Sequence, residues 1–386
     1  MTGFQFPVFC FLFFIFFIRV RVVRVVSRTR RTTPIHPIHD KILAFIGDAA
    51  SATFEALALE VFAHQFECIP AYRRVCGQRG KTPVTVHGWR DIPAVPAAAF
   101  KHLELCCGPP ERTFVSSGTT HGPEQRSRHT PPDLRLYRAA AVTGLKEFVF
   151  PDVPQIPILS LIPSAGEHPD SSLAQMVAWA IETFGTGGSS VFASQDRFDF
   201  TGFANALRRS GEPVCIMTTT GALLRFFDHC RDEGWSFRLP HSSRLMDTGG
   251  TKGAPRVLSR NGLLQAVWNT FAIPGYFVVN EYGMSELSSQ YYDNVICDRH
   301  HGRGTHRAKA APHWMRPRFL DPVTLRDVPR GEPGLLCHVD LANAGTALAV
   351  LTEDIGREMK DGFEVIGRAA GAEARGCSLA LADFLA

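Results

Sequence analysis

Across residues 156–280 the chain alternates between short apolar runs and longer stretches whose apolar residues recur at helical spacing. Residues 156–162, 190–193 and 214–218 read as buried strands, and residues 171–184, 201–209 and 221–231 as helices. A second stretch of the same kind follows from about His241. There Asp247-Thr248-Gly249-Gly250 closes a strand in a tight turn, residues 258–271 read as a helix, and residues 276–280 as a strand ending at Glu281. This order predicts an α/β fold with a largely parallel sheet covered by helices. In such sheets ligands collect at the carboxyl ends of the strands, where both Gly249-Gly250 and Glu281-Tyr282-Gly283 fall.

The flanks are of a different character. Ile42, Phe45, Ile46, Ala49, Phe54, Leu57, Val61 and Phe62 predict two or three packed helices between Asp40 and about Cys76. Residues 77–96 are rich in Pro and Gly and read as a connector. Pro131-Pro132-Asp133 starts a helix that runs to about Phe148. Beyond Arg316, residues 334–341, 347–352 and 362–366 read as strands of a small antiparallel barrel.

Two stretches carry the chemistry. Phe114-Val115 runs straight into Ser116-Ser117-Gly118-Thr119-Thr120-His121-Gly122, a strand delivering a hydroxyl-rich turn. Such a turn aims backbone N–H groups and hydroxyls at one anion. No Gly-Lys-Ser/Thr closes it, so it is not a Walker loop. Far downstream comes Asn280-Glu281-Tyr282-Gly283-Met284-Ser285-Glu286. Taken singly, each has a plain alternative: a polar surface loop, a core aromatic at Tyr282, a helix-cap partner at Glu286.

Together and in this order they resemble the adenylate-forming enzymes, which join a carboxylate to AMP using ATP. Residues 96–101 (Pro-Ala-Ala-Ala-Phe-Lys), Met246 to Gly253, Glu281 to Gln290, and the tail Ile366-Gly367-Arg368 with Arg375-Gly376-Cys377-Ser378-Leu379 narrow the resemblance. They are similar to the acyl-protein synthetase (long-chain fatty acid–luciferin-component ligase) branch, over roughly residues 40–386. The resemblance implies two α/β subdomains plus a small β-barrel, with the mobile C-terminal domain of larger relatives largely missing. The expected organisation is an extension over residues 1–33 and a synthetase domain over 34–386. The latter divides into α/β subdomains at 34–240 and 241–315, a β-barrel at 316–368, and a tail at 369–386.

It also implies roles. Ser116, Ser117, Gly118, Thr119 and Thr120 hold the ATP phosphates, with Thr119 counted among the catalytic residues. Glu286 is catalytic and binds Mg²⁺, which prefers one or two carboxylates plus phosphate oxygens. Gly249, Gly250, Glu281, Tyr282 and Gly283 form the adenine site, Asp354 takes the ribose hydroxyls, and Arg368 contacts ribose or phosphate. His121 departs from the family's Gly, and Pro123-Glu124 stands where relatives carry a basic residue, for which Arg126 or Arg128 are substitutes. Only 18 residues follow Arg368, and Cys377 lies on that tail, where a thiol on a flexible segment accepts acyl from acyl-AMP. The implied partners are a fatty or other carboxylic acid and an acyl-accepting reductase or carrier protein. A coenzyme A ligase of the phenylacetate kind, and a nucleotide-binding protein without turnover, are the competing readings.

Charge and cysteines bear on partners and setting. The net charge of +4 arises from six arginines between Arg19 and Arg31, a stretch with no acid; without them the rest holds 35 basic against 37 acidic residues. A nucleic-acid-binding body is therefore not expected. Residues 4–18 are nearly all apolar but fall short of a membrane span. The extension reads as a marginal anchor, a membrane-surface segment or an incorrectly assigned start; the last is favoured because the resemblance begins near Ile35. Membrane contact is expected only if residues 4–26 are native. Ten scattered cysteines read as reduced thiols of a cytoplasmic protein. Cys297, His300, His301 and His306 have the elements of a zinc site, but Gly302, Arg303 and Gly304 favour a solvated loop.

Overall fold

Capping residues fix where the helices begin. Thr53, Asp133, Ser171, Asp199, Thr219 and Ser259 each accept a backbone N–H of the first turn through their side chains. Each such cap is worth about 1 kcal/mol. In the computed structural model, which describes residues 35–116, 126–194, 197–249, 258–304, 306–369 and 375–385, the helices lie near their expected places. They are α1 (Ile38–Gly47), α2 (Phe54–Cys68), α3 (Pro70–Gln78), α4 (Leu134–Phe148), α5 (Ser172–Phe184), α6 (Phe200–Arg209), α7 (Thr220–Glu233), α8 (Arg260–Phe271), α9 (Val295–His300) and α10 (Arg375–Leu385). The extension over residues 1–33 lies outside the described residues, as do Ser117, Gly118, Thr119, Thr120, His121 and Gly250.

The strands are β1 (Val95–Pro96), β2 (Phe114–Val115), β3 (Arg128–His129), β4 (Ile158–Ser160), β5 (Ser190–Val191), β6 (Ala193–Ser194), β7 (Arg197–Phe198) and β8 (Cys215–Thr219). Then follow β9 (Arg244–Thr248), β10 (Val278–Tyr282), β11 (Tyr291–Asp293), β12 (Lys309–Ala310), β13 (Met315–Leu320), β14 (Pro333–Asp340), β15 (Ala349–Met359) and β16 (Gly362–Arg368). One 12-stranded sheet has the order β13-β14-β15-β16-β12-β11-β10-β9-β8-β4-β5, with β1 added in parallel to β15. From β5 to β10 neighbouring strands are parallel, and from β10 to β13 they are antiparallel. Thus the barrel-like strands are hydrogen-bonded onto the parallel part through β11 and β12.

The two larger of three apolar clusters among the described residues follow from this layout, the third being a small one around Cys337, Leu351 and Cys377. One joins α4 to α8 to the parallel strands, with Phe203, Phe226, Phe271 and Tyr292 fully enclosed. The other packs α1 to α3 against β14 and β15, around Phe62, Tyr72, Phe100, Trp314 and Phe363. Among the described residues no helix is long and apolar enough to cross a membrane.

The structure corrects two expectations. Cys68 at the end of α2 and Cys107 are joined in a disulfide across 39 residues, so not all ten cysteines are free thiols. Gln65 of α2 and the backbone of Cys107 both hydrogen-bond to the 343–345 turn, which brings the two cysteines together, a proximity that scattered spacing does not reveal. The tail, expected as a flexible carrier of Cys377, is the helix α10. Phe384 anchors it, fully buried and stacked on Tyr72 at 6.5 Å between ring centres, and Arg74 and Arg79 bind its last turn through Phe384 O and Asp383.

Candidate active site

The parallel strands β8, β9 and β10 end side by side, and their last residues meet. Thr248 faces Glu281 in the β9–β10 register, and its hydroxyl donates to the Glu281 carboxylate. Glu281 is buried, and burial pushes its carboxyl up to about 7, with Thr248 and Lys309 pulling part of the way back. The chain then folds over that carboxyl: a Cβ at Gly283 would lie 2.4 Å from Glu281 Oε1, so any side chain there would displace the carboxylate. Gly249 turns the end of β9 with φ +75°, and its carbonyl accepts from Thr220 Oγ1 at 3.0 Å.

Behind these ends sits a charged brace that sequence reasoning missed. Asp247 accepts from Thr220 Oγ1 (2.9 Å), Asn280 Nδ2 (2.9 Å) and Arg260 Nη1 (2.8 Å). Arg260, Arg307 and Lys309 converge on Asp293. Burial alone would raise that carboxyl, but Lys309, Arg260 and Arg307 together hold it down at about 2. Asp293 and Lys309 are cross-strand partners of β11 and β12, a pairing that no local motif announces.

The other anchor is Glu286, also buried. Burial raises its carboxyl above the ordinary range, while the Ser127 hydroxyl that donates to it, Lys101 and Arg368 draw it part of the way down. Ser127 belongs to the neck of the hydroxyl-rich turn. Ser116 N donates to Ser127 O and Ser127 N to Ser116 Oγ, each at 3.0 Å, next to the β2–β3 pairing. The segments flanking the turn are therefore pinched shut beside Glu286. Arg126 Nε is shut away from solvent at that neck and has no hydrogen-bond partner among the described residues, the state of a donor awaiting an acceptor. Lys101 and Ser127 were given no role from sequence; Lys101 stands in the quoted Pro96–Lys101 stretch, but nothing local ties it to Glu286.

A third group closes the site from the antiparallel side. Tyr282 OH donates to Asp354 Oδ2 at 2.8 Å, and Arg368 lies opposite Asp354 in the β15–β16 register. Arg368 pairs with Glu353 at 3.2 Å and sits 4.0 Å from Asp354 Oδ1. Tyr282, Asp354 and Arg368, far apart in the chain, are thus neighbours, and Glu286 feels the charge of Arg368. Cys377 is buried, and its thiol donates to Thr352 O at 3.1 Å, two residues before Asp354. Burial pushes that thiol up to about 12, with Glu353 and Cys337 adding to it, so in this position it is protonated. Cys297 and His301 lie 3.7 Å apart, but Arg303 donates to the Cys297 sulfur, and among the described residues they form no metal-binding group with a third ligand.

The arrangement places Ser116, Arg126 and Ser127 at the neck of the turn, a buried acid beside Ser127, and a tyrosine–aspartate–arginine set whose Arg368 acts on that acid. Comparison with known proteins fits that chemistry. The family model described as acyl-protein synthetase, LuxE, matches residues 38–386. The long-chain-fatty-acid–luciferin-component ligase of Vibrio harveyi is 24% identical over 327 residues, covering 81% of this chain and 82% of that protein. The protein of the same name from Aliivibrio fischeri is 20% identical over 348 residues, covering 86% and 88%. Among solved structures, an open 2-hydroxyisobutyryl-CoA ligase with its acyl-AMP and CoA superposes with a TM-score of 0.61 at 14% identity, covering 83% of this chain and 75% of that one. The same ligase in its postadenylation state gives 0.59 at 13%, covering 83% and 68%. At such identities the structural likeness establishes the adenylate-forming fold.

Proposed function

From the premise that this chain belongs to the acyl-protein synthetase family, we propose that it uses ATP to convert a long-chain fatty acid to acyl-AMP and passes the acyl group to Cys377. The observation that carries the reading is the convergence of the turn's neck, Glu286 and the Tyr282–Asp354–Arg368 set. In the first half-reaction a carboxylate oxygen attacks the α-phosphorus and pyrophosphate leaves. The protein's task there is to hold the groups in line and to balance the charge. Ser116, Ser117, Gly118, Thr119 and Thr120 take the β- and γ-phosphates, with Arg126 Nε as a further donor. Gly249, Gly250, Glu281, Tyr282 and Gly283 form the adenine cradle, Asp354 binds the ribose hydroxyls, and Arg368 contacts ribose or phosphate.

Mg²⁺ supplies neutralisation of the phosphate charge in this chemistry, and Glu286 is the residue that would hold it. The fit rests on the buried Glu286 carboxyl, which is raised by burial and which a cation would draw back to the ionised form.

In the second half-reaction the Cys377 sulfur bonds to the acyl carbon, the acyl–phosphate C–O bond breaks and AMP departs, while the thiol proton goes to solvent. A thiol raised to about 12 is a poor nucleophile, so this step requires α10 to leave its seat. A reductase or carrier protein is the proposed onward acceptor, and the cytoplasm the proposed setting. Carboxylate-dependent pyrophosphate exchange across a panel of acids tests the reading, with long-chain acids expected to be best. The same buried thiol favours a second reading, direct delivery to coenzyme A. Radioactive fatty acid separates the two: hydroxylamine-labile label on the protein supports Cys377, and acyl-CoA with no protein label supports the second.

A further inference from the structure

Away from the candidate active site, α2 carries His64 and Cys68 one helical turn apart, so both side chains lie on one face. The loop between Lys101 and β2 brings Cys107 to the same place. One ligand atom from each of the three lies within 4.8 Å of the others. His64 turns Nε2 toward Cys68 Sγ at 3.9 Å, and the ring of His36 stacks on that of His64 at 4.1 Å. All three residues are partly open to solvent, which gives an ion a route in.

Two sulfurs and one imidazole nitrogen are the donor set of a soft or borderline divalent cation, with a fourth tetrahedral position left for water. We propose that in the reduced protein His64, Cys68 and Cys107 bind one zinc-class ion, and that the Cys68–Cys107 disulfide is the oxidised, metal-free form of the same site. A dithiol reductant supplies two electrons and two protons, opening the disulfide to two thiols and becoming a disulfide itself. The ion then displaces both thiol protons. Either form ties α2 to the loop that carries Cys107, whose backbone N–H donates to Gly345 O at 2.9 Å. The site therefore links the helical N-terminal layer to the β14–β15 connection under both redox conditions.

Cobalt is the probe. The full chain is reduced with a dithiol, stripped of metal and freed of reductant without exposure to air, then titrated with Co²⁺. One equivalent is expected to bind with an intense near-ultraviolet thiolate-to-cobalt band and visible tetrahedral bands, both abolished by one equivalent of Zn²⁺. Diamide treatment should remove two titratable thiols and the bands together. Cys68→Ser, Cys107→Ser and His64→Ala should each weaken binding at least 100-fold, while Cys297→Ser leaves it unchanged. Folded, reduced wild-type protein without a thiolate-to-cobalt band would overturn the proposal, whether or not the variants fold. Bands that persist in Cys68→Ser and Cys107→Ser would overturn it equally.

Discussion

Glu281 lies near the end of β10 and Glu286 on the turn that follows it, both buried, yet they differ in what surrounds them. Glu281 has the Thr248 hydroxyl at its carboxylate and the Lys309–Asp293 brace behind it. Glu286 faces the neck of the hydroxyl-rich turn. Glu286→Gln keeps the shape and removes the charge, so it should lower pyrophosphate exchange by roughly 10²-fold or more with little change in unfolding. Near-normal exchange would take Glu286 out of the reaction. Glu281 carries a stability prediction. Its folded carboxyl is raised from 4.5 to about 7, so the folded protein binds that proton more tightly than the unfolded chain does. The resulting stability is present in full below 4.5 and is lost as pH rises through about 7, a change on the order of 3 kcal/mol. Glu281→Gln should flatten that decline in urea-unfolding midpoints measured from about pH 5 to 8; an unchanged slope would assign it to other groups. At this scale the motif residues could be singled out because they sit close together in sequence, and the structure brings Tyr282, Asp354 and Arg368 together. Asp293, Lys309 and Ser127 could not, since the fold alone supplies their partners: Asp293 and Lys309 meet by pairing of β11 with β12, and Ser127 meets Glu286 from a distant turn.

Among the elements, the long helices were legible because amphipathic spacing and capping residues mark them independently. The short α9 and the β6–β7 hairpin were not singled out, being too brief to show a period. The tail is the instructive miss. Residues 375–385 are short and mostly small and apolar, and their helix is held by contacts with α3, which lies some three hundred residues earlier in the chain. Tertiary packing, not local propensity, makes α10. Phe384→Ala should therefore loosen α10: losing a fully buried Phe costs roughly 3–5 kcal/mol, more than a two-to-three-turn helix can replace. Alkylation of Cys377 by iodoacetamide, slow in the native protein, should rise at least tenfold in that variant, read by peptide mass. Equal rates in the two proteins would mean that α10 already opens freely. Cys377→Ser should leave pyrophosphate exchange intact and abolish thioester labelling; labelling that persists would move the acceptor elsewhere.

Over the whole molecule, the parallel sheet was legible from the alternation across residues 156–280, and Thr248 and Glu281 do stand at its strand ends. The joining of β10 to the antiparallel strands was not, because a ladder formed through β11 and β12, only two or three residues each, leaves no pattern to read. The family match begins at residue 38, and the compact unit begins at Ile35. A protein starting at Pro34 should therefore keep full pyrophosphate exchange; a loss of more than a few-fold would give the extension a part in the activity. The pairing of β1 with β15 has a consequence for biosynthesis. Val95 and Pro96 leave the ribosome early, and their partners Val350 and Leu351 emerge only near the end of the chain. At a ribosomal pace of roughly 5–20 residues per second, the apolar surface around Phe62, Phe100 and Leu105 waits many seconds for its cover. During that interval the newborn polypeptide exposes that apolar surface, and the proposed nucleotide site cannot assemble until Asp354 and Arg368 have been made.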